Sequence, residues 1–270
     1  MLDNPRASRV KQVAKLSQRG ARLDAGLFLL EGPQSVAEAL TYRPELIVEL
    51  YATPTALDRY GDIAQAAVAA GVDVEFATEE VIDAMADTVT PQGFIAVCRQ
   101  FPTALKELLS EGRDGGAPKL VAILEEVRDP GNLGTIIRVA DSAGADAVIL
   151  TGRSVDLYNP KVVRSTTGSL FHIPVTVGVD LTDALAAVRA AGLQVLAADV
   201  KGIDLPEAGA ELLAQPTAWL FGNEARGLED DVLALADSAV RVPIYGEAES
   251  MNLATAASVL LYQSAFAHRA

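Results

Sequence analysis

Three short stretches of this 270-residue chain combine glycines, amides and charged side chains directly after apolar runs. They are residues 125–138 (EEVRDPGNLGTIIR), residues 220–228 (LFGNEARGL) and residues 242–253 (VPIYGEAESMNL). A carboxylate, an amide or an arginine in such a loop can orient a reacting group, move a proton or stabilise a developing charge. The three stretches are therefore where the sequence could do chemistry.

Each stretch also has a simpler structural interpretation. Asp-Pro-Gly-Asn is an ordinary turn signal, and Asn132 could cap the helix that follows it. Arg138 could be an exposed helix arginine, and residues 222–228 could be a routine loop between a strand and a helix. Ser250 or Asn252 could be a plain helix cap. A functional interpretation therefore depends on the order and spacing of all three stretches together.

Apolar runs that alternate with helical patterns must position these stretches. The first part of the chain predicts a helix over residues 10–19, followed by short strands and helices up to residue 98. The second part predicts strands at residues 120–124, 147–150, 175–177, 195–200, 218–221 and 240–243. Helices are predicted at residues 133–143, 161–165, 181–191, 230–236 and 253–267. This alternation is typical of an α/β fold with a parallel sheet.

A glycine-rich, polar stretch at residues 113–118 interrupts this pattern and is typical of a linker. We therefore expect a small α/β domain over residues 1–103, a linker over residues 104–118 and a larger α/β domain over residues 119–270. In open parallel sheets, ligands bind beyond the carboxyl ends of the strands. All three polar stretches fall at such positions in the larger domain.

The charge distribution favours a polyanionic partner for the first helix. The chain has a formal net charge of −14, but its first 22 residues carry one acidic side chain, Asp3, against six basic ones. The basic residues are Arg6, Arg9, Lys11, Lys15, Arg19 and Arg22. On one continuous helix, Lys11, Lys15 and Arg19 would share a face. Such a basic face can contact phosphate, although it could also merely be solvated.

Composition excludes several other classes of protein. The chain has one cysteine, Cys98, which cannot form a disulfide framework or a cysteine-built zinc site. It has only two histidines, His172 and His268, so we expect no metal. Cys98 and His172 are expected to be structural, and Trp219 is expected to pack in the core. No secretory signal or membrane span is apparent, which favours the cytoplasm. The dinucleotide-binding spacing G-x-G-x-x-G is absent from the first strand–helix turn.

In their order and spacing, the three stretches resemble the SpoU/TrmH family of RNA ribose 2′-O-methyltransferases, within the SPOUT superfamily. The resemblance runs from Lys119 to the C-terminus, and residues 4–33 resemble the family's N-terminal substrate-binding domain. It implies a small ribosomal-protein-like α/β domain and a SPOUT α/β domain with a parallel sheet and a deep trefoil knot. It also implies a homodimer and S-adenosylmethionine as the methyl donor.

The resemblance assigns roles to individual residues. The implied catalytic residues are Arg138, Asn132, Glu224, Ser250 and Asn252. The implied cofactor-binding residues are Gly222, Val242, Ile244, Met251 and Leu253. With the charge pattern, it indicates RNA binding by Arg6, Lys11, Lys15, Arg19 and Arg22. Met251 and Leu253 differ from the family's more usual residues but stay apolar, and Ala225 stands where a glycine is frequent.

Arg138 has two possible roles in such a reaction. A ribose hydroxyl is a weak nucleophile until its proton is removed or polarised. A guanidinium is normally a fixed cation, which makes it an unusual base. Arg138 could accept the proton with help from a phosphate, as proposed for the family, or stabilise the developing alkoxide.

The function that we expect is therefore methylation of a ribose 2′-hydroxyl in RNA. The N-terminal domain favours 23S ribosomal RNA as the substrate, for a housekeeping or an antibiotic-resistance purpose. The alternatives are a transfer RNA 2′-O-methyltransferase and a non-catalytic RNA-binding module of the same fold. A nucleotide-dependent enzyme acting on a small molecule is supported only by analogy of fold.

Overall fold

Two separate β-sheets organise the chain in the computed structural model, which describes residues 1–270. The first sheet has four strands: β1 Leu27–Glu31, β2 Ile47–Ala52, β3 Val74–Phe76 and β4 Phe94–Arg99. The second has six strands: β5 Leu120–Glu125, β6 Ala147–Thr151, β7 Val175–Val179, β8 Gln194–Asp204, β9 Thr217–Phe221 and β10 Ser238–Arg241. The expected α/β class is confirmed.

Thirteen α-helices connect these strands. Those before the second sheet are α1 Ser8–Ala14, α2 Arg19–Ala25, α3 Pro33–Tyr42, α4 Pro54–Arg59, α5 Gly61–Ala70, α6 Glu79–Met85 and α7 Leu105–Leu108. The others are α8 Pro130–Ala143, α9 Pro160–Thr166, α10 Leu181–Ala190, α11 Ala210–Leu213, α12 Asp230–Leu233 and α13 Leu253–Ala267. None of them is long and apolar enough to cross a membrane.

The six-stranded sheet is parallel throughout, as the continuous apolar runs predict. Its strand order is β10-β8-β9-β5-β6-β7, and every neighbouring pair runs in the same direction. Strands β5 and β9 are central and almost wholly buried because helices cover both faces of the sheet. The sheet order reverses at these two strands, and such a switch point is where ligands bind in open α/β sheets.

The four-stranded sheet is mixed. Its order is β1-β4-β2-β3, with β4 antiparallel to both of its neighbours and β2 parallel to β3. Side chains from α1, α6 and the inner face of this sheet form one apolar core, which includes Val10, Val13, Tyr51, Ile82 and Met85.

The chain divides into two units in space. Unit 1 contains Met1–Phe101 and Asp156–His172, and unit 2 contains Pro102–Val155 and Ile173–Ala270. Helix α9 therefore belongs to unit 1, although it follows the first strands of the second sheet in the sequence. The predicted domains over residues 1–103 and 119–270, with a linker over residues 104–118, each consist of one continuous segment of sequence. These boundaries stay a prediction.

The predicted helix over residues 10–19 is wrong, because the chain breaks there. Helix α1 ends at Ala14, a single 3₁₀ turn covers Lys15–Ser17, and Gln18 is extended before α2 begins. Lys11, Lys15 and Arg19 therefore do not share the face of one helix.

The break is stabilised by Arg22, whose side chain is only 2 % exposed. Its Nη1 donates to the carbonyl oxygens of Leu16 and Ser17, both at 2.8 Å. Its Nε and Nη2 bind Asp156 Oδ2 at 3.0 and 2.5 Å. A buried guanidinium that makes four such hydrogen bonds is part of the interior, so Arg22 does not lie where RNA could reach it.

Candidate active site

Loops at one edge of the parallel sheet carry the three polar stretches. Motif loop 1 (residues 126–129) follows β5, motif loop 2 (residues 222–229) follows β9, and motif loop 3 (residues 242–252) follows β10. Because the three strands are parallel, their carboxyl ends face the same edge of the sheet. The expected placement of the polar residues is therefore confirmed at the level of the fold.

Glu224 of motif loop 2 holds motif loop 1 in place. Its Oε2 accepts the backbone N–H of Arg128 at 3.1 Å, and its Oε1 accepts the backbone N–H of Asp129 at 2.9 Å. The same Oε1 also accepts the side-chain amide of Asn132 at 3.3 Å. Hydrogen bonds to an ionised carboxylate are stronger than those between neutral groups. One side chain thus fixes the entry to α8.

Asn132 extends this connection to motif loop 3. Its Oδ1 accepts the Nδ2 amide of Asn252 at 2.9 Å. Asn252 Oδ1 in turn accepts the backbone N–H of Thr255 at 3.2 Å and so caps α13. Asn252 therefore caps a helix, as its simpler structural interpretation predicts, and also belongs to a chain of hydrogen-bonded polar side chains. We call Glu224, Asn132 and Asn252 the amide–carboxylate chain.

The interpretation of Asn132 as a helix cap is wrong. The cap of α8 is Asp129, whose Oδ1 accepts the backbone N–H of Asn132 at 2.7 Å. Pro130 occupies the first turn of α8, a position for which its fixed φ is well suited. The signal was present in the sequence, because a proline at the first helical position places the cap one residue earlier. The Asn132 side chain is thereby left to bind Glu224 and Asn252.

Glu126 is a further polar residue of the site that sequence reasoning missed. Its backbone adopts a left-handed conformation with φ of 53°, and its carbonyl oxygen accepts Asn223 Nδ2 at 2.8 Å. Its Oε2 pairs with Arg226 Nη2 at 2.6 Å and Arg128 Nη2 at 3.3 Å. The hydrogen bond from Arg128 lowers the pKa of the Glu126 carboxyl below its usual value. The Glu126–Arg226 pair spans 100 residues, and no local pattern indicates it.

Gly222 of motif loop 2 and Gly246 of motif loop 3 differ in whether the backbone requires glycine. A Cβ atom on Gly222 would lie 2.5 Å from the carbonyl carbon and oxygen of Gly227, so glycine is required at position 222 by the close approach of the chain's own backbone. That close approach lets Asn223 and Gly227 pair through two backbone hydrogen bonds of 3.1 and 2.8 Å. Gly246 has no positive φ, and a Cβ there would meet nothing within 4 Å. Neither the backbone conformation nor a close contact therefore requires glycine at position 246.

Arg138 and Ser250 lie outside the amide–carboxylate chain. Arg138 is exposed on α8, six residues beyond Asn132, and its guanidinium has no carboxylate or hydrogen-bond partner. Ser250 is exposed on motif loop 3 and also makes no side-chain hydrogen bond. Of the five predicted catalytic residues, the structure brings three into direct contact and leaves two free to bind another molecule.

Motif loop 3 offers features that fit an adenosine group. Ile244 and Met251 are 38 % and 37 % exposed, although both are apolar. Val242 and Leu253 are half-buried beside them. The backbone N–H groups of residues 244–251 donate no hydrogen bond within the protein. Apolar side chains next to unused backbone groups suit a flat heteroaromatic ring that carries a polar edge. The predicted cofactor residues on this loop therefore fit the group.

Four of the basic residues near the N-terminus are accessible. Arg6, Lys11, Lys15 and Arg19 are exposed and have no carboxylate partner. Arg9, by contrast, pairs with Glu49 at 3.3 Å and Glu75 at 3.5 Å.

The remaining candidates have structural surroundings, as predicted. Cys98 is fully buried, and burial raises the pKa of its thiol to about 12. Trp219 is fully buried, and its Nε1 donates to Ser264 Oγ at 3.0 Å. His172 lies 3.1 Å from a carboxylate oxygen of Glu38 and packs on the ring of Tyr42.

Comparison with known proteins identifies the family. Residues 119–262 match the SpoU rRNA methylase family, and residues 29–104 match the RNA 2′-O ribose methyltransferase substrate-binding domain. The chain is 32 % identical over 270 residues to the 23S rRNA (guanosine(2553)-2′-O)-methyltransferase RlmP of Bacillus subtilis, with 97 % of both chains covered. The chain therefore belongs to the SpoU rRNA methylase family.

Solved structures agree along the whole chain. The AdoMet-bound rRNA methyltransferase from Sinorhizobium meliloti superimposes with a TM-score of 0.82 at 31 % identity, covering 97 % of this chain and 96 % of that one. The SpoU methyltransferase AviRb from Streptomyces viridochromogenes, in complex with AdoMet, gives a TM-score of 0.81 at 29 % identity, covering 97 % and 98 %. Both units of the chain thus have counterparts in methyltransferases of this family.

Replacing Glu224 with glutamine tests the hold of motif loop 2 on motif loop 1. An amide presents one acceptor oxygen and no charge, so the N–H groups of Arg128 and Asp129 cannot both keep their partners. We expect the local opening free energy to fall by about 1 kcal/mol. Amide hydrogen exchange at Arg128 and Asp129, measured by NMR, should accelerate accordingly.

Glu247→Gln is the matched control, because Glu247 lies on motif loop 3, is exposed and has no hydrogen-bond partner. It should leave both exchange rates unchanged. Unaltered exchange in Glu224→Gln would show that the carboxylate does not hold the loop.

Proposed function

We propose that this chain transfers the methyl group of S-adenosylmethionine to a ribose 2′-hydroxyl of 23S ribosomal RNA. The observation that carries the proposal is the amide–carboxylate chain, which joins all three motif loops at the switch point of the parallel sheet. The functions for which its relatives are named support the same conclusion. RlmP and the RlmB protein of Ralstonia nicotianae, 33 % identical over 240 residues, are both named 23S rRNA 2′-O-methyltransferases.

The cofactor would be held by motif loop 3 and the adjoining residues. Ile244 and Met251 supply apolar contacts, and the unused backbone N–H groups between them are available to the polar edge of adenine. When bound, S-adenosylmethionine supplies an electrophilic methyl group on a sulfonium. The chain's own residues orient the reacting oxygen and disfavour unproductive arrangements of the two reactants.

Arg138 is the residue that we assign to the ribose oxygen. Its guanidinium is exposed and unpaired, so its charge is not neutralised by a neighbouring carboxylate. A positioned cation stabilises the alkoxide character that develops as the 2′-hydroxyl releases its proton to solvent water. This role requires no deprotonation of the guanidinium, which is chemically unfavourable. Ser250 lies on motif loop 3 and is free to hydrogen-bond the substrate.

Ribosomal RNA would be engaged by the N-terminal unit. Arg6, Lys11, Lys15 and Arg19 are the predicted RNA contacts that stay available for phosphate, whereas Arg22 is excluded by its burial. A ribosomal RNA substrate also implies that the protein works in the cytoplasm.

Two further features of the family are proposed for this chain. The first is the deep trefoil knot, which is supported by the path from the edge strand β10 to α13, a helix that packs on α8 and on the inner strand β9. The second is the homodimer. It is supported by the apolar side chains on the solvent side of α13, where Phe266 is 61 % exposed and contacts Tyr262.

The function is tested by mapping 2′-O-methyl groups in RNA from cells with and without the gene. A site in 23S rRNA should disappear with the gene and return with the wild-type chain. The Arg138→Ala variant should not restore this methyl site. Its methyl transfer in vitro should fall by at least about 100-fold, because the variant lacks the group that acts on the reacting oxygen. Arg138→Lys should also fail substantially, because a point charge does not reproduce the planar fork.

The control is Arg189→Ala, which removes an exposed arginine paired with Asp237 and should leave transfer unchanged. Calorimetry should show that Arg138→Ala binds S-adenosylmethionine normally. A methyl site lost only from transfer RNA would contradict the assigned substrate. Absence of cofactor binding by the wild-type chain would favour a non-catalytic RNA-binding module.

Salt dependence tests the basic residues. Single-strand contacts contribute a slope of about 0.7 per neutralised phosphate, so replacing Lys11, Lys15 and Arg19 with alanine should flatten the dependence of RNA affinity on salt by roughly 2. Affinity for S-adenosylmethionine should not change. Alanine at Lys119, Arg189 and Arg241 removes the same charge from residues already paired with aspartates, and should preserve the slope. If RNA affinity depends equally on salt in both triple variants, then Lys11, Lys15 and Arg19 are merely solvated and do not contact phosphate.

A further inference from the structure

A cavity of about 310 Å³ opens in unit 1 between α1, α2 and one face of the four-stranded sheet, where β1, β4 and β2 contribute to its lining. Its floor is apolar and consists of Val13, Leu16, Leu27 and Val97. Residues from both sides of the break between α1 and α2 line this space, with Val13 on α1, Leu16 on the 3₁₀ turn and Ala21 on α2. The volume is at the lower end of the range for pockets that hold small organic molecules.

The rim of the cavity carries an anchored carboxylate. Glu49 Oε2 accepts the hydroxyl of buried Tyr51 at 2.5 Å, and Glu49 Oε1 lies 3.3 Å from Arg9 Nη2. Each carboxylate oxygen has two lone-pair sites, so each retains one acceptor position. Glu49 is therefore a fixed acceptor with capacity for two further donors.

Arg9 and Gln12 complete the polar side of the rim. The Arg9 guanidinium is fixed by Glu49, by Glu75 at 3.5 Å and by the Tyr51 ring at 5.6 Å. A fixed guanidinium plane is a surface on which a nucleobase can stack. The Gln12 amide is exposed and has no hydrogen-bond partner in the protein, so it can both donate and accept.

We propose that this cavity binds one unpaired guanine of the RNA substrate, a proposal that rests on RNA being the substrate. Guanine presents two adjacent donors, N1–H and N2–H, which match the two open acceptor positions of Glu49. Adenine, cytosine and uracil present no such pair of adjacent donors. Sequence-specific recognition of RNA commonly targets unstacked bases in this manner. In this proposal the apolar floor contacts the ring, and Lys15, which also lines the cavity, supplies a cation for the adjoining phosphate.

Binding of short uridine oligonucleotides with one central guanosine, inosine or adenosine tests the proposal. Measured by fluorescence anisotropy on the full chain, the guanosine oligonucleotide should bind about tenfold more tightly than the adenosine one, as a bidentate pair typically gives. Inosine lacks the 2-amino group and should bind with intermediate affinity.

Two variants test whether the preference for guanosine arises in this cavity. Glu49→Gln removes one acceptor and the charge, and Ala21→Phe fills the cavity without changing any charge. Both should bind the three oligonucleotides equally. Leu23→Phe is the matched control, since Leu23 lies on α2 but is 56 % exposed and does not line the cavity. It should keep the preference for guanosine.

Equal affinity of the wild-type chain for the three oligonucleotides would overturn the proposal. A preference for guanosine that survives in both Glu49→Gln and Ala21→Phe would also overturn it, because the base would then bind elsewhere. Methyl transfer to ribosomal RNA is a separate readout. Transfer without base preference refutes only the guanine site, and base preference without transfer to any RNA refutes only the proposed reaction.

Discussion

The contact between Glu224, Asn132 and Asn252 is the interaction on which the site depends. These residues come from motif loop 2, the first turn of α8 and motif loop 3, and they are separated by 92 and 120 positions in the sequence. None of them is buried, so the hydrophobic effect does not hold them together. Their alignment depends on a charged acceptor, on amide groups that donate and accept at once, and on loops that begin at the same edge of one sheet.

The surrounding backbone makes this interaction possible. Gly222 lets motif loop 2 fold against Gly227, and the resulting turn presents Glu224 to motif loop 1. Asp129 caps α8, so the Asn132 side chain is not consumed by its own helix. Asn252 caps α13 with its oxygen and keeps its amide nitrogen for Asn132. The site is therefore a consequence of how two helices begin and of how one loop turns.

Much of this arrangement follows from the sequence because burial leaves a clear pattern. The strands of the parallel sheet are covered on both faces, and their continuous apolar runs predict both their position and their direction. The five polar residues are identifiable from the sequence because their order and spacing resemble those of one family. Pro130 also indicates where the cap of α8 lies, because a proline at the first helical position places the cap at Asp129. Asn132 competes with Asp129 for this assignment when only the sequence is considered.

The remaining features depend on contacts between distant parts of the chain. The break after Ala14 is stabilised by Arg22, which bonds to Leu16 and Ser17 and pairs with Asp156, a partner 134 residues away. The charge pattern alone predicts that Arg22 binds RNA, because the sequence does not reveal Asp156 as its partner. The left-handed backbone of Glu126 likewise has no local signal, since a glutamate seldom adopts it.

A double-mutant cycle on Asn132 and Asn252 tests the central claim that the motif loops act as one unit. The rate of a single turnover of methyl transfer is measured at saturating RNA and S-adenosylmethionine for Asn132→Ala, Asn252→Ala and the double variant. If the two amides align the loops jointly, the double variant should be no slower than the slower single variant, with a coupling of about 1 kcal/mol or more. Additive losses, within about 0.5 kcal/mol, would show that the two residues act independently and would contradict the account.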